Sequence, residues 1–143
     1  MNNCIFLTST DTTIGFISKN QERLSKIKKR KEGKRYIIAL SSLALLNKFT
    51  RTPLKFKKRV RRAKKTTFIF PNKRSFRVIK DESHLLLIKR LEWVYTTSAN
   101  ISGKEFDLEF AINSADIIIK PLIYSPNPSK ILQIGKKRAK KIR

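Results

Sequence analysis

Several stretches of this chain collect side chains able to do phosphate chemistry. Thr96-Thr97-Ser98-Ala99-Asn100-Ile101-Ser102-Gly103 crowds hydroxyls, an amide and a glycine behind the aromatic and β-branched run Trp93-Val94-Tyr95. A polar loop at the carboxyl end of a strand is where α/β sheets bind ligands, and its N–H and hydroxyl groups can hold phosphate oxygens. Thr8-Ser9-Thr10-Asp11-Thr12-Thr13 is a second hydroxyl-rich stretch behind a short apolar run, and Lys28-Lys29-Arg30-Lys31 is a cationic corner. Each also has a plainer reading as an ordinary turn with an N-cap, as Asx and Ser/Thr turns, or as solvated charge. Residues 54–63 space Phe56, Val60 and Ala63 three or four apart and give most of the remaining circumference to cations, which predicts a helix that faces polyphosphate. Lys58, Arg59, Arg61 and Arg62 on it, and Lys64 and Lys65 just after it, are candidate RNA-binding residues.

Composition narrows the partners. The 143 residues carry a net charge of +24, so unpaired positive surface must exist, and such surface recruits RNA, DNA, nucleotides or anionic membranes. With 40% hydrophobic residues and nine Phe the chain can still bury a core. A single cysteine, Cys4, excludes an internal disulfide and a cysteine zinc site, and the lone His84 cannot build a histidine metal cluster. His84 reads as a surface or half-buried residue, and no metal ligands are assigned. The longest apolar candidate, residues 37–46, is broken by Ser41 and Ser42, and the amino terminus lacks a signal-peptide pattern, so we expect a cytoplasmic protein without a membrane span.

These stretches need elements to hold them. The patterning predicts a strand over 4–7, a loop over 8–16, a helix over 21–29 capped by Asn20, and a strand over 36–40. Ser42 should cap a helix carrying Leu43, Leu45, Leu46 and Phe49, and Thr52-Pro53 should open the cationic helix. A hairpin over 66–70 and 75–79, a helix over 82–91 and a strand over 93–96 follow. Ser102 and Glu105 have capping-box spacing for a helix over 106–114. A short buried strand over 116–119, a loop broken by Pro121, Pro126 and Pro128, and a last edge strand over 131–134 complete the order. Alternating strands and helices imply an α/β (α+β) fold with one twisted mixed sheet. We expect one domain over 1–135 and a basic tail over 136–143 that is mobile unless it binds something.

In order and spacing, Thr10-Asp11-Thr12, Lys28-Lys29-Arg30 and Thr97-Ser98-Ala99-Asn100-Ile101-Ser102-Gly103 resemble the YrdC-like family, whose enzymatic members are threonylcarbamoyl-AMP synthases. The family pattern is Thr-Asp-Thr after the first strand, Lys-x-Arg after the first helix and Thr-Ser-Ala-Asn-x-Ser-Gly late in the chain. The resemblance implies a twisted sheet with a basic concave groove, and synthesis of threonylcarbamoyl-AMP from L-threonine, bicarbonate and ATP with release of pyrophosphate. Partner proteins then move the threonylcarbamoyl group to an adenosine beside the tRNA anticodon. By this resemblance Lys28, Arg30, Ser98 and Asn100 would be the catalytic tetrad on the ATP phosphates. Thr10, Thr12, Thr97, Ser102 and Arg77 would line the ATP and threonine pocket, and Mg²⁺ would be held mainly by the ATP phosphates. The chain departs from the family at Ile14, Arg35, Ile79, Lys130 and over Arg62-Ala63-Lys64-Lys65-Thr66. A second reading is a non-catalytic module of the same fold that holds tRNA, rRNA or double-stranded RNA.

Overall fold

A computed structural model describes residues 2–31, 34–125 and 127–143 of the chain. Pro126, expected as a loop breaker, lies outside the described residues. In chain order the elements are β1 (Phe6–Ser9), β2 (Ile14–Ser18), α1 (Gln21–Lys28), β3 (Ile37–Leu40), α2 (Leu43–Phe49), a 3-10 turn (Leu54–Phe56) and α3 (Lys57–Arg62). Then come β4 (Thr66–Ile69), β5 (Ser75–Val78), α4 (Glu82–Leu91), β6 (Trp93–Ser98), α5 (Leu108–Ser114), β7 (Ile117–Ile118), β8 (Lys130–Ile134) and β9 (Ala139–Lys141). The fold is mixed α/β, as the alternating pattern predicts. The contacts divide it into two compact units, Met1–Tyr36 with Val94–Asn127, and Ile37–Trp93 with Pro128–Arg143.

In the first unit the strand order is β7-β1-β2-β6, with β7 parallel to β1 and the other pairs antiparallel. Ile5, Leu7, Ile14, Phe16, Leu24, Tyr36, Ala99 and Ala111 form its core, with Ile27 packed alongside. Asn20 caps α1 as expected, its Oδ1 accepting from the Arg23 N–H at 3.1 Å. The stretch read as a loop over 8–16 is instead a tight turn between two strands. Thr10 Oγ1 accepts from the N–H of Thr12 (3.2 Å) and Thr13 (3.1 Å) and donates to Thr13 O (2.5 Å), which closes the chain early enough for Ile14 to begin β2. The Ser102 and Glu105 capping box does not form. Asp107 caps α5 through the N–H groups of Glu109 and Phe110, and Ser102-Gly103 make a turn in which Gly103 takes φ 79°. The short strand at Ile117 is half exposed at the sheet edge rather than buried, because it pairs only with β1 in this unit.

The second unit orders its strands β3-β5-β4-β8-β9. The hairpin is present, with Phe68 opposite Phe76, and Ser42 and Asp81 cap α2 and α4. The cationic stretch is not one helix from a Thr52 cap. Thr52 is buried and makes no cap hydrogen bond, Pro53 opens a 3-10 turn, and α3 restarts at Lys57 over buried Phe56 and Val60. Residues 136–143 are not a mobile tail. β9 pairs antiparallel with β8, so 131–134 is neither the last strand nor an edge, and Arg143 Nε donates to Ser129 O at 3.0 Å. His84 is 3% exposed, inside α4 rather than at the surface.

Candidate active site

Helix α1 ends between two cations. Lys28 is its last residue, and Lys29 takes a left-handed φ of 52°, so that the Lys29 and Arg30 N–H groups fold back onto Lys26 O and Ser25 O. That reversal, normally made by glycine, sends Lys28 inward and leaves Arg30 outside. The Lys28 side chain is 4% exposed, and its Nζ donates to Ser98 O (2.7 Å), Asn100 O (2.8 Å) and Asn100 Oδ1 (3.4 Å). Ser102 N–H donates back to Lys28 O at 3.0 Å. Lys28 of the Lys-x-Arg motif is therefore stitched to the Ser-x-Asn loop at the end of β6, while no hydrogen bond ties Arg30 to that loop among the described residues.

Asn100 is held at both ends of its amide. Its Oδ1 accepts from Ser98 Oγ (2.5 Å) and Lys28, while Nδ2 donates to Ile101 O (3.0 Å) and Lys104 O (2.8 Å). Ser98 is exposed, so its hydroxyl is the face this cluster shows to solvent. Carbonyl and amide oxygens solvate the ammonium without neutralising it, so the cluster keeps a positive charge under that hydroxyl. Burial, and secondarily the Arg30 charge, push the Lys28 pKa down to about 8. Arg30 itself lies over Tyr36, its guanidinium carbon 4.5 Å from the ring centre and Nη2 donating to Arg35 O at 3.2 Å. Tyr36 is fixed beneath it by Ser25 Oγ at 2.9 Å and an edge contact with Tyr95.

The Thr10 turn reaches the same end of β6. Gly15 pairs with Ser98, and a Cβ at Gly15 would stand 2.7 Å from Thr97 O and 3.0 Å from Thr10 Cγ2. Thr10, Gly15 and Thr97 meet there, and Thr12 is buried in the turn. Of the expected pocket residues, Ser102 has an exposed side chain, and Arg77 belongs to the second unit, buried with Nη1 3.4 Å from Thr67 Oγ1. Lys58, Arg59, Arg61, Arg62, Lys64 and Lys65 are all exposed in that second unit. Sequence reasoning missed Gly15 and Tyr36. A glycine inside a strand signals a close backbone approach, and an aromatic after a basic run is a platform for a guanidinium, so both signals were available.

Among the described residues no group of three or more His, Cys, Asp or Glu could hold a metal ion, and no helix is long and apolar enough to cross a membrane. Neither a family model nor a curated protein matches the chain. Solved structures do. A Sua5 variant from P. abyssi matches over 98% of this chain and 52% of its own, with TM-score 0.83 and 15% identity. Sua5 from P. abyssi complexed with L-threonine matches over 98% and 50%, with TM-score 0.79 and 16% identity. E. coli YciO matches over 99% and 82%, with TM-score 0.73 and 19% identity. Full-length HypF, in a phosphate- and nucleotide-bound form, matches over 98% and 22%, with TM-score 0.75 and 15% identity. The chain spans about half the length of Sua5. Its strand order within each unit and its gathered loops accompany a likeness over nearly every residue, and the chain has the Sua5/YrdC fold.

Proposed function

We propose that the chain synthesises threonylcarbamoyl-AMP from ATP, bicarbonate and L-threonine in the cytoplasm, and that partner proteins pass the product to tRNA. The observation that carries this reading is Lys28 bridging Ser98 and Asn100, which ties the lysine of the Lys-x-Arg motif to the Ser-x-Asn loop. The fold shared with a threonine complex and a nucleotide complex supports it.

The threonine amine adds to bicarbonate with loss of water and gives a carbamate. A carbamate oxygen then attacks the α-phosphorus, the α–β P–O bond breaks and pyrophosphate leaves. Charge gathers on phosphoryl oxygens throughout, so the work is positioning and countercharge rather than proton transfer. Arg30 supplies a planar fork for one phosphate group, and Lys28 supplies a point charge behind Ser98 and Asn100. Ser98 Oγ–H can turn from Asn100 Oδ1 to a phosphate oxygen without adding charge. The turn at Thr10 and Thr12, with Thr97 and Ser102, would border the space where threonine sits. Mg²⁺ fits only as part of the nucleotide, since the hydroxyl and amide donors of the cluster include no carboxylate set for it.

The test follows pyrophosphate release with ATP, with and without threonine and bicarbonate, alongside a known synthase as positive control. Release that needs all three substrates and disappears in Ser98→Ala supports the proposal. Folded protein that releases none above background sinks it.

A further inference from the structure

Arg23 within α1 and Arg30 just past its end are held in opposite ways. Arg23 meets an acid: Nη1 donates to Asp116 Oδ2 at 2.6 Å and Nη2 to Asp116 Oδ1 at 3.2 Å. That fork on a carboxylate offsets its charge and ties α1 to the residue before β7. Arg30 is half-buried, and its anchors are neutral. Its guanidinium carbon lies 4.5 Å from the Tyr36 ring centre, and among the described residues its one hydrogen-bond acceptor is Arg35 O, 3.2 Å from Nη2. One of its five N–H donors is thereby used, and no carboxylate among the described residues pairs with it. The place of Arg30 is fixed while its charge stays available to an anion. The ring that holds it is itself held. Tyr36 is 4% exposed, in the core of the first unit, with its hydroxyl 2.9 Å from Ser25 Oγ on α1. Its ring meets Tyr95 edge-on, centroids 6.4 Å apart and planes at 61°. Tyr95 stands in β6, the strand that ends at Ser98, and its backbone pairs with Ser18 of β2.

We infer that Tyr36 is the positioning residue of Arg30: together with Tyr95 it indexes the guanidinium to the strand that carries Ser98 and Asn100. The inference rests on the phosphate-binding reading of that cluster and concerns what places the one member that no hydrogen bond ties to the Ser98–Asn100 loop. The route from that loop to Arg30 runs through rings, from β6 to Tyr95, to Tyr36, to the guanidinium. A free arginine side chain loses much rotamer freedom when it grips an anion. A guanidinium already resting on a buried ring loses less, and that preorganisation is the contribution of Tyr36. The ring suits the task better than a carboxylate would. A carboxylate holds an arginine through the same planar fork that a phosphate needs, as Asp116 does for Arg23. An aromatic ring attracts the cation without neutralising it. A leucine at position 36 would fill the core but give the cation nothing to rest on.

Calorimetric titration with pyrophosphate tests this on wild type, Arg30→Gln, Tyr36→Leu, Tyr36→Phe and the double variant Arg30→Gln with Tyr36→Leu. Arg30→Gln should weaken binding at least about tenfold, as loss of a charged hydrogen-bond donor does. Tyr36→Leu should weaken it about two- to fivefold, the size of a partly exposed cation–π contact. The double variant should bind no more weakly than Arg30→Gln alone, because the ring acts only through the arginine. Tyr36→Phe keeps the ring and should stay within about twofold of wild type. Circular dichroism establishes that each variant is folded. A second measurement needs no change in the core: in the NMR spectrum of wild type, side-chain protons of Arg30, assigned by their loss in Arg30→Gln, should be shifted by the Tyr36 ring current and stay shifted at saturating pyrophosphate. Tyr36→Leu binding as tightly as wild type, or losses that multiply in the double variant, would overturn the inference and leave the phosphate reading intact. So would a ring-current shift that collapses on binding, since Arg30 would then abandon the ring to reach the anion. Wild type that binds no pyrophosphate overturns the phosphate reading, and the inference with it.

Discussion

Lys28 gives the most quantitative handle on the candidate site. Lys28 is 4% exposed, and its pKa is lowered to about 8 from the 10.5 of an ordinary lysine, mainly because burial penalises the charge. Below pH 8 both folded and unfolded chains hold the proton, and folding carries the full cost of burying it. Between 8 and 10.5 the unfolded chain holds more protons, so stability rises with pH across that window. At about 1.4 kcal/mol per pH unit the whole effect is about 3 kcal/mol. The perturbation is Lys28→Met, which keeps the stem and removes the titration. Urea unfolding of both proteins from pH 7 to 10.5 isolates the contribution, because other lysines and tyrosines titrate alike in the two. The difference in stability should move by about 3 kcal/mol in favour of wild type as pH rises. A bound phosphate anion reverses the sign, since it favours the charged lysine. Pyrophosphate binding should therefore take up a proton above pH 8 and weaken as pH rises through 8, and Lys28→Met should abolish the uptake. Calorimetry in buffers of different ionisation enthalpy reads it directly. A stability difference flat in pH, or proton uptake that survives in Lys28→Met, would refute the reasoning.

Three further outcomes follow from the same cluster. Gly15→Ala puts a methyl 2.7 Å from Thr97 O, a backbone atom, so it should destabilise by about 1–3 kcal/mol in urea titration and reduce activity through β6. Lys29→Gly relieves a left-handed φ of 52° and should stabilise by about 0.5–1 kcal/mol in the same assay, leaving activity intact if only the neighbouring cations matter. Asn100→Asp sets a carboxylate beside Lys28 Nζ and Ser98 Oγ, which should raise the Lys28 pKa and repel phosphate. Pyrophosphate release should fall at least tenfold while the thermal midpoint holds or rises.

What the sequence shows well is whatever its neighbours decide. The Asn20 cap, the 82–91 helix, the 66–79 hairpin and the Ser42 cap rest on local spacing, and the structure has them. β2 was hidden because Thr12 and Thr13 look like turn residues, and only the closure through Thr10 Oγ1 shows how soon the turn ends. β9 was hidden because a lysine-rich end has little strand preference of its own, and its partner β8 supplies the ladder. The division into two units depends on the chain leaving the first at Tyr36 and returning at Val94, which no local pattern records. At the candidate site the motifs name Lys28, Ser98 and Asn100, but not that the lysine would donate to the backbone of the loop it serves.

That last feature constrains how the site could bind an anion. An ammonium has three N–H donors, and Lys28 directs all of them at Ser98 O, Asn100 O and Asn100 Oδ1. It cannot also donate to phosphate without releasing one, and a buried carbonyl deprived of its donor costs about 1–3 kcal/mol. The weakest of the three, to Asn100 Oδ1 at 3.4 Å, is the one to give up, because Ser98 Oγ already satisfies that oxygen at 2.5 Å. Yet Ser98 must turn away from the same oxygen to meet a phosphate. Lys28 and Ser98 therefore share one acceptor, and Asn100 Oδ1 stays satisfied if either turns to an anion while the other remains on it. If the cluster binds a phosphate as proposed, first contact would fall to Arg30 and one of the pair while the remaining partner keeps the Asn100 amide in register, so losing Asn100 Oδ1 should cost more phosphate affinity than losing either donor alone.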